Sequence, residues 1–329
     1  MKYCTLGNSD LSVSAIGFGA MVLSPGIYQS VNDEESRQTL QQILDLGINF
    51  IDTADIYGNG HNEQLIGSVI RKQRDRVVLA TKFGGDVTET GHIQTGNGRP
   101  EYVHQAIDAS LQRLGVDYVD VYYLHRVDPA TPIEETVGAM AKLVQAGKVR
   151  YLGLSEVSVE TIRRAHQIHP ITVVESEYSL FTRDPELAVL PALQELGIGF
   201  VAYSPLGRGF LSGQIKRGQT FAPDDWRRTQ PRFQGKNLER NLDLAETVEQ
   251  IASEKGTTAA QLALAWLLHQ GDNIVPIPGS RRFENMRQNA EAANVLLTER
   301  DLSRLNAVLP AGAVSGDRAD QAYIMNTNR

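Results

Sequence analysis

The sequence predicts a closed (β/α)8 barrel preceded by a β-hairpin. Three observations predict it. Short apolar runs alternate with stretches of helical apolar spacing along most of the chain, which is the pattern of a parallel sheet. Eight such strand–helix units fit within 329 residues, a length that suits a closed barrel. Separate strand-like runs also end in single polar groups. Run 48–51 leads into Asp52 and then Tyr57, run 77–81 ends at Lys82, and run 118–124 ends at His125. In a parallel closed sheet every strand opens its C-terminal end on one face, where catalytic groups collect. An open doubly wound sheet is the alternative. It would carry G-x-G-x-x-G after its first strand, and Gly17-Phe-Gly19 is too short for that.

The elements follow in order. Leu6-Gly-Asn-Ser-Asp-Leu11 is turn chemistry between short apolar pieces and predicts a hairpin over 3–13. Residues 15–21 form the first barrel strand, with glycines that permit close backbone approach. Leu40, Ile43 and Leu44 have helical spacing and lead through Gly47 into strand 48–51. Leu65, Ile66, Val69 and Ile70 predict a helix before strand 77–81, and Val103, Ile107, Leu111 and Leu114 another before strand 118–124. Thr131-Pro132 reads as an N-cap with proline at N1. The helix it opens runs through Val137, Met140 and Val144, stops at Gly147 and precedes strand 149–154. Ser158 caps a short helix ending before Pro170, and strand 172–176 follows. Asp184-Pro185 opens a helix through Leu187, Leu190 and Leu193 that ends at Gly197, before strand 198–203. Leu244, Val248 and Ile251, then Leu262, Leu264 and Trp266, predict two more helices. The last strand is 274–277, with a helix over 283–290 behind it. Residues 207–240 hold Gly, Pro and Arg without periodicity, which predicts a long functional loop. Residues 310–329, poor in apolar side chains, predict a mobile tail beyond a single domain of residues 1–309.

Composition excludes several classes. With 41% hydrophobic and 22% charged residues the chain is an ordinary globular protein. A net charge of -7 argues against a general nucleic-acid binder. Cys4 is the single cysteine, so neither a disulfide framework nor a zinc cluster is expected. His61, His92, His104, His166, His169 and His269 read as surface residues without metal-ligand spacing, so no metal is expected. No run is long and apolar enough for a signal peptide or membrane span, which makes a cytoplasmic location, away from membranes, the expectation.

The four polar groups at the strand ends suit one chemistry. A phenol with a pKa of about 10 is a weak acid at neutral pH. A nearby ammonium favours the phenolate, and Lys82 is placed to lower Tyr57 in this way. Asp52 would hold Lys82 charged and aimed, and His125 would hydrogen-bond a substrate carbonyl. Such a set protonates an alkoxide as it forms from a carbonyl, and it needs a hydride donor. Singly, each residue also fits a plainer role: a structural ion pair, a rim tyrosine. Their joint placement favours the chemical reading. Late in the chain, Ile277-Pro-Gly-Ser-Arg-Arg282 opens a helix with a serine and two arginines, which suits a phosphate group. A solvated basic helix start is the plainer reading.

With these residues in view, the sequence resembles the aldo-keto reductase superfamily over about residues 3–309. The matching motifs are Gly17-Phe-Gly-Ala-Met21, Asp52-Thr-Ala-Asp-Ile-Tyr57 with Gly58, Thr81-Lys82, Leu124-His125, Gly153-Leu-Ser155, Glu177-Tyr-Ser-Leu180, Tyr203-Ser-Pro-Leu-Gly207 and Pro278-Gly-Ser-Arg281. Gly207-Arg-Gly-Phe-Leu-Ser-Gly213 with Pro231-Arg-Phe233 resembles the bacterial and plant branch of perakine reductase-like and pyridoxal reductase-like enzymes. The resemblance implies reduction of an aldehyde or ketone by NADPH, with Asp52, Tyr57, Lys82 and His125 as the catalytic four and Tyr57 as proton donor. It implies that Tyr203 stacks on the nicotinamide and that Ser155, with Glu156 and Glu175 beside it, faces the carboxamide. It places Ser204, Pro205, Leu206, Gly207, Gly209, Leu211 and Gly213 at the pyrophosphate. Ser280, Arg281 or Arg282, Gln288 and Asn289 would hold the adenosine 2'-phosphate and adenine, with Ile277 and Gly279 also at the cofactor. Gly19, Ala20 and Met21, with Asp52, would complete the cofactor site. Glu156 and Glu175 depart from the family's usual Asn and Gln. The implied partner is a small carbonyl substrate, and the implied state a monomer or weak homo-oligomer. Two other functions fit less of the sequence: a barrel lyase with a Schiff base on Lys82, and an NADP-sensing module with little turnover. Substrate choice is expected to lie with the loops around Tyr28, 84–99 and 207–240.

Overall fold

A computed structural model describes residues 1–25, 31–87, 93–223, 225–319, 324 and 327. Its strands in chain order are β1 (Tyr3–Thr5), β2 (Ser12–Ser14), β3 (Phe18–Gly19), β4 (Phe50–Asp52), β5 (Val78–Phe83), β6 (Gly85–Val87), β7 (Ile93–Gly96), β8 (Val119–Leu124), β9 (Val149–Ser155), β10 (Ile171–Glu177), β11 (Gly199–Tyr203) and β12 (Ile274–Pro276). The helices are α1 (Asp33–Asp45), α2 (His61–Ile70), α3 (Pro100–Leu114), α4 (Ile133–Gln145), α5 (Val159–Ile168), α6 (Val189–Leu196), α7 (Gly235–Glu254), α8 (Ala259–Leu268), α9 (Phe283–Glu291) and α10 (Glu299–Val308). Strands β3, β4, β5, β8, β9, β10, β11 and β12 neighbour one another in that order, all parallel. The Gly17 and Gly19 N–H groups donate to the carbonyls of Pro276 (3.0 Å) and Pro278 (3.3 Å), which joins the first strand to the last. This seam needs glycine: a Cβ on Gly19 would lie 2.7 Å from the Ile277 carbonyl oxygen, and one on Gly279 would lie 2.5 Å from that of Gly19.

The pleat explains the two cores. Successive strand residues face opposite sides. One set, Phe50, Ala80, Val121, Tyr123, Val173, Val201 and Val275, packs inside the barrel. The other set, among them Ile51, Leu79, Tyr122, Leu152, Val174 and Phe200, meets the surrounding helices. The β1–β2 hairpin closes the N-terminal end: its Leu6, Leu11 and Val13 join the interior cluster. Asn8 N–H donates to the Gly197 carbonyl (3.0 Å), and Gly7 (φ +56°) lies so close to β10 and β11 that a Cβ would sit 2.3 Å from the Thr172 carbonyl oxygen.

Local signals set the helix ends. Asn32 accepts from the Glu34 and Glu35 amides at the start of α1, whose first turn is acidic. Thr258 with Gln261, and Thr298 with Asp301, form capping boxes on α8 and α10. The structure also corrects several expectations. The first barrel strand is only two residues, because Ala20–Leu23 turn into a 3-10 helix. Thr131 does not cap α4: Pro132 holds the cap position, and the Thr131 hydroxyl donates to Asp128 instead (2.8 Å). The helix expected from Asp184 is broken into a 3-10 turn, Asp184–Glu186, and α6, with Leu187 exposed between them. Segment 207–240 is not one loop: it holds 3-10 turns at Gly207–Ser212, Trp226–Thr229 and Pro231–Phe233 and the start of α7. The β6–β7 pair and α10 were not expected, although Thr298-x-x-Asp301 ahead of Leu302 and Leu305 was an available signal for α10. Tyr28 and His92 lie outside the described residues.

The tail departs most from expectation. Over residues 310–319 it is held by polar contacts. Asn241 exchanges hydrogen bonds with the Ser315 backbone (2.9 and 2.8 Å), the Ser315 hydroxyl donates to Asn237 (2.7 Å), and Ala319 is buried. Among the described residues no helix is long and apolar enough to cross a membrane, and no His/Cys/Asp/Glu group has the makings of a metal site.

Candidate active site

The interior columns change character at their C-terminal ends. Phe50 is followed two residues on by Asp52, Ala80 by Lys82, Val173 by Glu175, Val201 by Tyr203 and Gly153 by Ser155. The apolar filling of the barrel therefore gives way to a polar layer, because period-2 pleating keeps each column facing inward. Register aligns this layer: Lys82 pairs with Tyr123, Tyr123 with Gly153, and Ser155 with Glu175. Gly153 is required there, since a Cβ would lie 2.4 Å from the Tyr123 ring.

Lys82 is the centre of the layer and is fully buried. Its ammonium donates to Asp52 in a very short ion pair and to the Thr53 carbonyl (3.0 Å), and lies 3.3 Å from Glu175 Oε2. Burial alone would push its pKa down. The charges of Asp52 and Glu175 outweigh that and hold it above the usual lysine value. Two carboxyl groups thus share one cation in a dry site. Burial and the neighbouring Asp52 push Glu175 well above the ordinary carboxylate range, against the pull of Lys82.

Glu175 couples stability to pH. Because its folded pKa is raised, the folded protein keeps this proton above the pH of about 4.3 at which an unfolded chain releases it. The group therefore costs stability as pH rises through that window, and Glu175→Gln removes this slope from the pH dependence of the thermal midpoint. An unchanged slope in the variant would show that Glu175 does not set it.

Tyr57 sits in the turn between β4 and α2, a segment that needs left-handed backbone at Gly58, Asn59 and Gly60. Its ring is edge-on to His125, with centroids 6.0 Å apart, and the Lys82 ammonium lies 5.6 Å from its centroid. Lys82 pulls the phenol's pKa down as expected, but the net shift is upward. Burial raises the phenol more than Lys82 lowers it, and Asp52 and Glu175 push the same way as burial. Tyr57 is a firmly protonated phenol. His125 is buried and held well below its usual pKa by burial and by Arg126 and Lys82, so it is a neutral imidazole. Its Nδ1 has no hydrogen-bond partner among the described residues.

A cleft of about 1330 Å³ opens over this layer. Asp52, Tyr57, His125, Ser155, Glu175 and Tyr203 line its inner part, and Lys82 lies beneath them. From there it runs past Gly19, Met21, Ser204, Pro205, Leu206 and Gly209 to Ile277, Gly279, Ser280, Arg281, Arg282, Gln288 and Asn289. Ser204 (φ +49°) and Arg208 (φ +57°) hold left-handed backbone without being glycine, and such strain gathers at functional walls. Arg282 occupies the N-cap of α9, and Ser280 Oγ accepts from its amide (3.1 Å). Of the residues expected at the cofactor, Ala20, Gly207, Leu211 and Gly213 do not line the cleft: Ala20, Gly207 and Leu211 are buried behind it, and Gly213 lies beyond it. Glu156 is also absent from the lining. Its carboxylate accepts from Tyr203 Oη (2.8 Å) and from Arg318, a residue of the tail. Sequence reading missed Arg318, and also Arg126, whose Nη1 donates to Ser155 Oγ (3.2 Å). An arginine directly after His125 was the available signal for the second; the first had none.

The cleft fits a long anionic molecule. Arg208, Arg227, Arg281 and Arg282 line its outer part, and Tyr57 and His125 line its inner end. Comparison with known proteins agrees with this geometry. A family model described as "Aldo/keto reductase family" matches residues 15–310. A soybean (Glycine max) protein described as "Probable aldo-keto reductase 1" is 44% identical over 317 residues, covering 95% of this chain and 90% of that one. The solved glycerol dehydrogenase AKR11B4 from Gluconobacter oxydans superposes with a TM-score of 0.84 at 29% identity, covering 93% of this chain and 94% of that one. The thermostable aldo-keto reductase Tm1743, solved with the inhibitor epalrestat, gives 0.76 at 30% identity, covering 94% and 100%.

Proposed function

Because the chain belongs to the aldo/keto reductase family, an oxidoreductase family, we propose that it reduces an aldehyde or ketone to an alcohol with NADPH, using Tyr57 as proton donor. One observation carries this reading. A buried ammonium, Lys82, stands beneath a neutral phenol and a neutral imidazole at the inner end of a cleft whose outer end is cationic.

The cofactor, when bound, supplies the hydride. Everything else falls to the chain's own residues. Tyr57 gives its Oη proton to the carbonyl oxygen as that oxygen gains negative charge. Lys82, held charged by Asp52, steadies the phenolate left behind. His125, being neutral, offers its single N–H to the same oxygen and orients the carbonyl. Tyr203 would face the nicotinamide and Ser155 its amide. The turn from Ser204 to Gly209 would hold the pyrophosphate. Ser280, Arg281, Arg282, Gln288 and Asn289 would hold the adenosine end. The raised pKa of Lys82 argues against a Schiff-base lyase, which needs a neutral amine.

A screen of small aldehydes and ketones with NADPH, read by loss of nicotinamide absorbance, tests the reading. Turnover of at least one carbonyl is expected; tight NADPH binding without any turnover would favour an NADP-sensing role. In the same assay, Arg281→Ala with Arg282→Ala should weaken NADPH by about 1.5–3 kcal/mol per lost charged hydrogen bond, with little change for NADH. Equal losses for both cofactors would mean that the arginines do not meet the 2'-phosphate.

A further inference from the structure

The described end of the tail reaches back over the barrel and touches the cofactor wall from behind. Arg318 donates from both terminal nitrogens to the two oxygens of Glu156, at 3.0 and 2.7 Å. Glu156 follows β9 in left-handed backbone (φ +54°), and its carboxylate is buried. The same Oε1 that takes one Arg318 bond also accepts from Tyr203 Oη (2.8 Å) and from the Glu177 amide (2.9 Å). One carboxylate thus ties the tail, the end of β10 and the tyrosine at the end of β11.

A second tie runs through the Gly207–Ser212 turn. Arg208 donates from Nη1 to the Arg318 carbonyl (2.8 Å) and pairs through Nη2 with the buried Glu177 (2.7 Å). Its guanidinium lies over the Trp226 ring, 4.1 Å from the centroid. Arg208 and Trp226 both line the cleft. Thus the Arg318 side chain reaches the cleft-lining Tyr203 through Glu156, and its backbone holds the cleft-lining Arg208, while Arg318 itself does not line the cleft. The bonds of Ser315 to Asn237 and Asn241 on α7 anchor the strap that carries it.

We propose that Arg318 is a positioning residue for cofactor binding: the tail acts as a strap that fixes the Tyr203 side chain through Glu156 and the Arg208 turn through the Arg318 carbonyl. The physical reason is rotational. A tyrosine side chain held only at Cα swings about its Cα–Cβ bond, and anchoring Oη removes that swing before the cofactor arrives. Arg318 has no hydrogen bond or ion pair with Tyr57, Lys82 or His125, so the strap acts on binding and not on proton transfer. This inference rests on the NADPH reading above.

The test compares wild type, Arg318→Gln, Arg318→Lys and Tyr203→Phe, with NADPH affinity by titration and kcat at saturating cofactor. Arg318→Gln should weaken NADPH roughly tenfold, as expected for losing charged hydrogen bonds, with kcat changed by less than about twofold. Arg318→Lys should recover part of the affinity. Combining Arg318→Gln with Tyr203→Phe should cost less than the sum of the two, since both cut the same tie. Without cofactor, Arg318→Gln should change the emission of Trp226; the other tryptophan, Trp266, is fully buried. If a lone Glu156 prevents folding, the neutral pair Glu156→Gln with Arg318→Gln replaces the single variant, because it leaves no uncompensated buried charge. Wild-type NADPH affinity in the folded variant, or strictly additive losses with Tyr203→Phe, would overturn the strap. Failure of the wild-type chain to bind NADPH would instead overturn the cofactor reading.

Discussion

Tyr57→Phe is expected to lower kcat at least ~100-fold, the usual scale on which a positioned general acid acts. The substitution removes one oxygen and leaves the ring, so its edge-on contact with His125 survives. The NADPH dissociation constant and the thermal midpoint should stay close to wild type. The structure sharpens this expectation. A phenol whose pKa is held up by burial and by Asp52 and Glu175 is protonated across the working pH range, so the group is always ready to donate. Reduction should therefore show no loss near neutral pH from Tyr57 ionising, and the reverse oxidation should speed up as pH rises, because it needs Tyr57 as a base. Single-turnover reduction at saturating NADPH measures the step directly. Normal turnover by the phenylalanine variant would remove Tyr57 from the chemistry.

Lys82→Met should reduce kcat/KM by roughly 10²–10⁴ and also cost about 3–5 kcal/mol of stability. The two losses share one cause. Lys82 is the only cation in contact with Asp52 and Glu175, both buried, among the described residues. Removing it leaves Asp52 without compensation, so that carboxyl must bind a proton or the site must admit water. The double variant Asp52→Asn with Lys82→Met separates the effects. It should regain much of the stability, since no buried charge is left alone, and should stay inactive, since nothing steadies the tyrosinate. Denaturant unfolding of the two variants beside their turnover gives the answer. A double variant as active as wild type would make the ion pair purely structural.

The parallel barrel and the positions of Asp52, Lys82 and His125 were legible in the sequence because both rest on local rules. An apolar run of alternating faces ends where its polar residue begins, and in a closed parallel sheet that end always opens on the same side. The glycines of the seam were visible for the same reason: backbone closeness leaves a mark in the residue type itself. Three matters were decided only by the tertiary structure. The tail was read as mobile because it lacks apolar residues, yet it is held by hydrogen bonds and an ion pair whose partners lie far away in sequence, Arg318 with Glu156 and Ser315 with Asn241. The neighbour of Glu175 is Lys82, which register and pleat bring together across the barrel. The direction of the Tyr57 shift depends on how much water the fold excludes, and desolvation is a property of the whole packed site that no motif carries.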